Sequence, residues 1–237
     1  MMSFENKKQM KKIQIIIICL FISTLAFSQK VEWRETAWQK NQIKFSPLRT
    51  INWYNPGLEL NYQRNHGQFA SQISVAYLTN IADIFTIAER KNIHGYRLNF
   101  EEKYYFPKSI RYNMRTFISS ELGYNNINSI RENQCFIPLN AEGEDDEENS
   151  YIEDWDLNRQ SIIFDVKMGM EFRVNHLLLE WGVGFGLTHQ YVQVFSKRNP
   201  TDQMDFHHSD IISPLFEKEG RYVIPNFPIT FKIGYIF

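Results

Sequence analysis

The chain has 237 residues, a net charge of −1 and 15% aromatic residues, and a balance this close to neutral excludes a nucleic-acid binder held by a basic surface. Mean hydropathy is −0.41, which by itself reads as that of a soluble protein. The high aromatic share and the low hydropathy are reconciled by a membrane β-barrel, where alternate residues face lipid, the others face a polar lumen, and aromatics form girdles at both interfaces.

In chain order, Lys7, Lys8, Lys11 and Lys12 precede an apolar run from Ile13 to Phe21, and Ala26-Phe27-Ser28 fits a small-x-small cleavage site. Residues 1–28 are therefore expected to be a signal peptide and residues 29–237 the mature domain. The run is shorter than the ~20 apolar residues of a spanning helix, and Cys19 follows Ile16-Ile17-Ile18 rather than a small-residue lipobox. Cleavage leaves Cys135 alone, so no intrachain disulfide can hold the domain together.

Period-two alternation then predicts strands. A first strand is expected over Ile43 to Leu48. Leu58, Leu60 and Tyr62 oppose Glu59, Asn61 and Gln63, and Ile73, Val75 and Tyr77 oppose Gln72 and Ser74. Tyr96, Leu98, Phe100 and Tyr104 oppose Arg97, Asn99, Glu101 and Lys103, while Ile118, Leu122 and Tyr124 oppose Ser119, Glu121 and Gly123. The pattern is clearest from Ser161 to Val174, where Ile162, Phe164, Val166, Met168, Met170, Phe172 and Val174 share one face. The other face carries Asp165, Lys167, Glu171 and Arg173, with Ile163 as the exception. A helix would mix the two sets on every side. Next, Leu177, Leu179, Trp181, Val183, Phe185 and Leu187 oppose Glu180 and alternate glycines, and the last strand runs from about Phe227 to Phe237.

The expected fold is all-β: a closed antiparallel transmembrane β-barrel of about eight strands, or ten if a long loop hides a hairpin. Short turns are predicted at Asn65-His66-Gly67, Pro107 to Asn113 and Asn175-His176. Outer loops are predicted around Asn55-Pro56-Gly57, Thr79 to Asn92, Asn125 to Asp156 and Ser196 to Pro225.

Arg97, Glu101, Lys103, Arg115, Glu121, Asp165, Lys167, Glu171, Arg173, Glu180 and Lys232 form the expected lumen charge network, read as a packed salt-bridge plug rather than an ion path. The acidic run at Asp145, Asp146, Glu147 and Glu148, with Glu142, Glu144, Glu153, Asp154 and Asp156 around it, offers weak metal ligands. Its spacing is not that of an EF-hand, and like-charge runs usually stay solvated. His207-His208-Ser209-Asp210 reads as exposed loop residues, and no cofactor is expected.

The order of Ile43-Lys44-Phe45-Ser46-Pro47-Leu48, Leu58 to Arg64, Gly95-Tyr96-Arg97-Leu98 and Glu102-Lys103-Tyr104-Tyr105-Phe106 resembles small outer-membrane barrels classed as domains of unknown function, of the outer-membrane protein A/W-like kind. Phe231, Ile233, Tyr235 and Phe237 are similar to the C-terminal assembly signal of such barrels. The resemblance implies an outer-membrane location, outer-membrane lipids and lipopolysaccharide as surroundings, and the barrel assembly machinery as a partner. A lipid A deacylase resembles a His-x-Ser pair on an outward strand face, whereas His189 is followed by Gln190 and Tyr191. The expected function is non-enzymatic, in envelope integrity or surface interaction through long loops that could hold an extracellular ligand. A small-solute channel is the alternative and a lipid-modifying enzyme the third.

Overall fold

A computed structural model of the chain describes residues 41–50, 56–79, 90–106, 114–138, 149–195, 203–204 and 219–237. The predicted signal peptide, the Asp145–Glu148 run and His207 to Asp210 lie outside them. The elements are β1 (Asn41–Phe45), α1 (Pro47–Thr50), β2 (Gly57–His66), β3 (Phe69–Thr79), β4 (Arg90–Tyr105), β5 (Met114–Ile137), β6 (Tyr151–Val174), β7 (Leu177–Val194), β8 (Gln203–Met204), β9 (Gly220–Asn226) and β10 (Ile229–Ile236).

Each strand pairs antiparallel with its sequence neighbour from β1 to β7, and β10 pairs with both β7 and β1, which closes the sheet into a barrel. β9 and β10 lie successively along β7. They are one stave interrupted at Phe227 and Pro228, where a proline cannot donate to a ladder. The two-residue β8 only touches the tip of β5. The wall therefore has eight staves. Two tight turns join them at one end, and Gly67 (φ 67°) and Asn175 (φ 58°) supply the left-handed backbone those turns need.

Facing is inverted relative to an ordinary globular core. Along β6, Ser161, Asp165, Lys167 and Glu171 are buried, whereas Ile162, Phe164, Val166 and Met168 stand outward, Met168 with 62% of its surface exposed. The same inversion holds on β2, β3, β4, β7 and β10. Alternate glycines make the narrow lumen feasible. A Cβ on Gly184 would lie 2.6 Å from Lys167 Cγ, and one on Gly234 would lie 2.7 Å from Lys44 Cγ.

The wall is uneven in height. β2 and β3 have 10 and 11 residues, but β5 and β6 have 24 each and β7 has 18. The tall side carries its own inner apolar cluster of Phe136, Trp155, Leu157 and Val192, joined by Tyr151, Val194 and Tyr222. Phe136 stacks on Tyr151 with centroids 5.4 Å apart.

This height corrects the loop assignments. Most of the segment from Asn125 to Asp156 is strand, since β5 continues to Ile137 and β6 begins at Tyr151. Its outward positions include Asn126, Asn128, Asp154 and Asp156 and its inward ones Ile127 and Trp155, so the apolar row changes face along the strand and the alternation is hidden. The asparagines form a ladder instead, Asn158 Nδ2 donating to Asn126 Oδ1 at 2.8 Å and Asn128 Oδ1 at 2.7 Å. Likewise β9 lies within the predicted fourth loop, and β4 starts at Arg90. The first strand stops at Phe45 rather than Leu48, because Pro47 starts a one-turn helix, a position where its missing N–H costs nothing.

Candidate functional site

Among the described residues the lumen contains the densest cluster of ionisable side chains. At its centre the Glu171 carboxylate accepts from four neighbours: Lys44 Nζ at 2.8 Å, Arg115 Nε at 2.7 Å, the Tyr105 hydroxyl at 2.8 Å and, more distantly, Lys103 Nζ at 3.5 Å. Glu180 is held by Lys44, by Lys103 at 2.7 Å and by Lys232 at 3.0 Å. Lys232 also reaches Glu101 at 3.0 Å, and Lys167 links Glu101 at 2.8 Å to Glu121 at 2.7 Å. Below this cluster, the Arg115 guanidinium lies 3.6 Å from the Tyr105 ring centroid, and Phe117 packs on Tyr105 and Ala70. Neutral partners complete the acceptor set, with Ser119 Oγ 2.7 Å and Gln72 Nε2 3.0 Å from Glu101.

Strand pleat explains this convergence. Lys44, Glu171, Glu180 and Lys232 come from β1, β6, β7 and β10, and register sets Lys232 opposite Glu180 and Glu180 opposite Glu171. Register also sets carboxylates opposite each other, Glu171 with Glu180 and Glu101 with Glu121, and a lysine bridges each pair, Lys44 the first and Lys167 the second. The barrel has so few staves that long side chains from facing walls touch across the axis.

Of the residues expected in the lumen, Arg97, Glu101, Lys103, Arg115, Glu121, Asp165, Lys167, Glu171, Glu180 and Lys232 are buried there. Asp165 differs in kind, since its Oδ1 accepts from Asn226 Nδ2 at 2.8 Å. Arg173 stands apart at the end of β6, where its Nε donates to the carbonyl of Asn175 at 2.6 Å, because the chain turns there. Sequence reading missed Lys44 and Glu59 because their strands are short, Arg49 because it follows a proline, and Arg159 because its segment resembled a loop. Adding them changes the charge balance. Buried Lys44, Arg97, Lys103, Arg115, Arg159, Lys167 and Lys232, with Arg49, are eight cations against the six carboxylates Glu59, Glu101, Glu121, Asp165, Glu171 and Glu180.

The half of the lumen beyond Phe45 is packed differently. β1 pairs with β2 and β10 only as far as Phe45, opposite Leu60 and Ile233. Beyond it, α1 packs against β2 and β10 in the place where the stave would continue. Arg49 on α1 faces Glu59 and Glu121, each at 3.8 Å. Glu59 is also met by Arg97 at 3.5 Å and by Ser46 Oγ at 2.8 Å.

Elsewhere, Phe231, Ile233, Tyr235 and Phe237 all lie on the outward row of the last stave, Tyr235 stacked on His176 at 5.5 Å. His189 is exposed on the outward face of β7, opposite Ile162 and Val223. Glu153, Asp154 and Asp156 belong to β6 rather than to a loop. No cluster of three His, Cys, Asp or Glu side chains suited to a metal occurs among the described residues. Comparison with known proteins returns no matching family model, no matching curated protein and no matching solved structure.

Proposed function

We propose that this chain is a non-enzymatic barrel of the bacterial outer membrane, with a lumen plugged by ion pairs and an outer rim that serves envelope integrity or surface interaction. The observation that carries this reading is the polarity inversion around the whole barrel. Leu58, Leu60, Ile73, Val75, Leu98, Leu122, Phe164, Val166, Phe185 and Tyr235 all stand outward with roughly half their surface exposed, forming a belt rather than the patch of a few hundred Å² found on soluble monomers. A lipid phase accounts for such a belt, and a closed barrel leaves no strand edge unpaired within it.

The boundary of the belt supports the same reading. Beyond Ile162 on β6, outward positions change to Gln160, Asn158 and Asp156, and on β7 Leu187 gives way to His189 and Gln193. A crossing strand needs about 9–11 residues, so the 24 residues of β5 and β6 reach well past the belt. The tall β5–β6–β7 wall then stands in solvent as a rigid support for whatever the outer segments recognise.

Packing favours this scaffold over a small-solute channel. The ion pairs around Glu171 and Glu180 cross the lumen, and the space beside Ser46, Glu59, Glu121 and Lys232 has no room for a water molecule. Cells expressing the chain should carry it in the outer-membrane fraction, and Asn158→Cys in a Cys135→Ser background should react with an impermeant maleimide on intact cells. Purified protein should be electrically silent in planar bilayers. Recovery from the periplasm without detergent would overturn the location, and steady single-channel openings would overturn the plug.

A further inference from the structure

The outward face of the tall wall changes character within two register rows. Phe100, Leu122, Phe164 and Leu187 lie level on β4 to β7 and form the last wholly apolar row of the belt. The next row, Leu98, Tyr124, Ile162 and His189, is mixed. The one after it reads Tyr96, Asn126, Gln160 and Tyr191, with Tyr77 of β3 beside Tyr96. Asn128 and Asn158 follow in the row beyond. The amides thus begin one row, roughly 7 Å along the strands, past the edge of the belt. That distance matches a head-group layer of about 5–8 Å on each side of the hydrocarbon.

The amides on this face are linked to one another. Asn158 Nδ2 donates to Asn126 and Asn128, and its Oδ1 accepts from Gln160 Nε2 at 3.3 Å. Gln193 Nε2 donates to the Tyr191 hydroxyl at 2.9 Å. Each side chain therefore fixes its neighbour, and hydrogen-bonding groups of both kinds are left without a partner among the described residues. They are the Nδ2 donors of Asn126 and Asn128 and the Oε1 acceptors of Gln160 and Gln193. At one end of the row Tyr96 and Tyr77 are 45% and 60% exposed, and at the other Arg221 lies over the Tyr191 ring, 5.5 Å from its centroid. An aromatic girdle does not by itself bring amides with it. At the turn end of the barrel Tyr62, Tyr235 and Phe237 stand outward, and among the described residues no linked run of amides accompanies them.

We propose that this face binds the uncharged sugar head group of a glycolipid whose acyl chains lie on the apolar belt beside it. A sugar hydroxyl both donates and accepts, as the amide set does, whereas a phosphate only accepts and would meet the two Oε1 acceptors unfavourably. The exposed tyrosines add apolar ring faces with polar tips, suited to a sugar ring that is apolar on its C–H side. Side chains already held by one another lose little freedom when the ligand arrives. A membrane lipid is the occupant, rather than a soluble glycan, because the amide rows continue directly from the belt and one molecule can lie on both. The proposal rests on the membrane reading above.

The test uses full-length mature protein in a sugar-free, uncharged polyoxyethylene detergent, probed by native mass spectrometry with digalactosyldiacylglycerol. Dioleoylphosphatidylcholine is the lipid without sugar, and digalactosylglycerol is the free head group. The glycolipid should be retained in preference to both. Asn158→Leu, which removes the hub of the ladder, should weaken retention about tenfold, the loss expected when one or two neutral hydrogen bonds go. Asn126→Leu should weaken it in the same direction, and Tyr62→Leu at the opposite rim should leave it unchanged, each in protein whose heat-modifiable migration is normal. Equal retention of phosphatidylcholine, free head group binding as well as the glycolipid, or retention unchanged in both asparagine variants would each overturn the site. Failure of the protein to enter liposomes at all would instead overturn the membrane reading, so the two failures are distinguishable.

Discussion

The lumen is closed in two ways that differ in quality. Around Glu171 and Glu180, where β1 lies between β2 and β10, Arg115, Lys44, Lys103 and Lys232 approach to 2.6–3.0 Å. Around Glu59, where β1 has ended and α1 stands in its place, Arg49 and Arg97 remain at 3.8 and 3.5 Å. Both regions bury carboxylates, and both supply cations. What differs is the ladder: paired strands hold side chains at fixed register, whereas a single helical turn does not. For Arg49 the looseness follows from that missing ladder, whereas the 3.5 Å contact of Arg97 with Glu59 joins two paired strands, β4 and β2, so register alone does not tighten an ion pair.

Breaking the tight region should have the largest effect. Glu171→Leu removes one acceptor from beneath Lys44, Arg115 and Tyr105, leaving buried cations uncompensated. A loss of about 3–5 kcal/mol is expected, measured as the urea midpoint of the purified protein in detergent. A change below that of a surface substitution would contradict the account of the plug. Second in size is Val166→Arg on the outward row, expected to cost about 2–4 kcal/mol near the lipid midplane in urea unfolding from vesicles. Third, Gly184→Ala places a methyl group against Lys167 Cγ and the Val166 carbonyl. Overpacking of this kind typically costs about 1–3 kcal/mol, whereas Gly67→Ala meets no neighbour and would lose stability by another route, the left-handed φ of 67° at its turn. The smallest effect belongs to Arg49→Gln. Losing two contacts at 3.8 Å, with Glu59 and Glu121 still opposed by Arg97 and Lys167 when Arg49 is gone, should cost less than any of the three changes above, read as the same urea midpoint. A loss equal to that of Glu171→Leu would erase the contrast between the two regions.

Much of this contrast was hidden from sequence reading for identifiable reasons. Ser161 to Val174 was legible because its outward row is wholly apolar and its inward row, apart from Ile163, is not. The side chain of Ile163 turns inward opposite Gly123 and Thr188, where a glycine leaves space for it. The upper strands were illegible because Asn126, Asn158 and Gln160 make the outward row polar once it leaves the belt. Lys44 and Glu59 sit on correctly read alternations, yet each strand was too short for the pattern alone to mark them as members of a cluster that spans the barrel. Arg49 had no signal at all: a residue two positions after Pro47 carries no period, and its place follows only from where β1 stops. The acidic run and the paired histidines fall outside the described residues.

The central claim is that the apolar row faces lipid and the charged row faces a sealed lumen. Single cysteines at Phe164, Val166 and Met168, and in the other row at Asp165 and Lys167, can be placed one at a time in a Cys135→Ser background. Each is labelled with a small fluorophore and reconstituted into vesicles of brominated lipid. Phe164, Val166 and Met168 should be quenched strongly, and Asp165 and Lys167 should be quenched little. Equal quenching of both rows, or a protein that stays in solution without detergent and never enters the vesicles, would contradict the account.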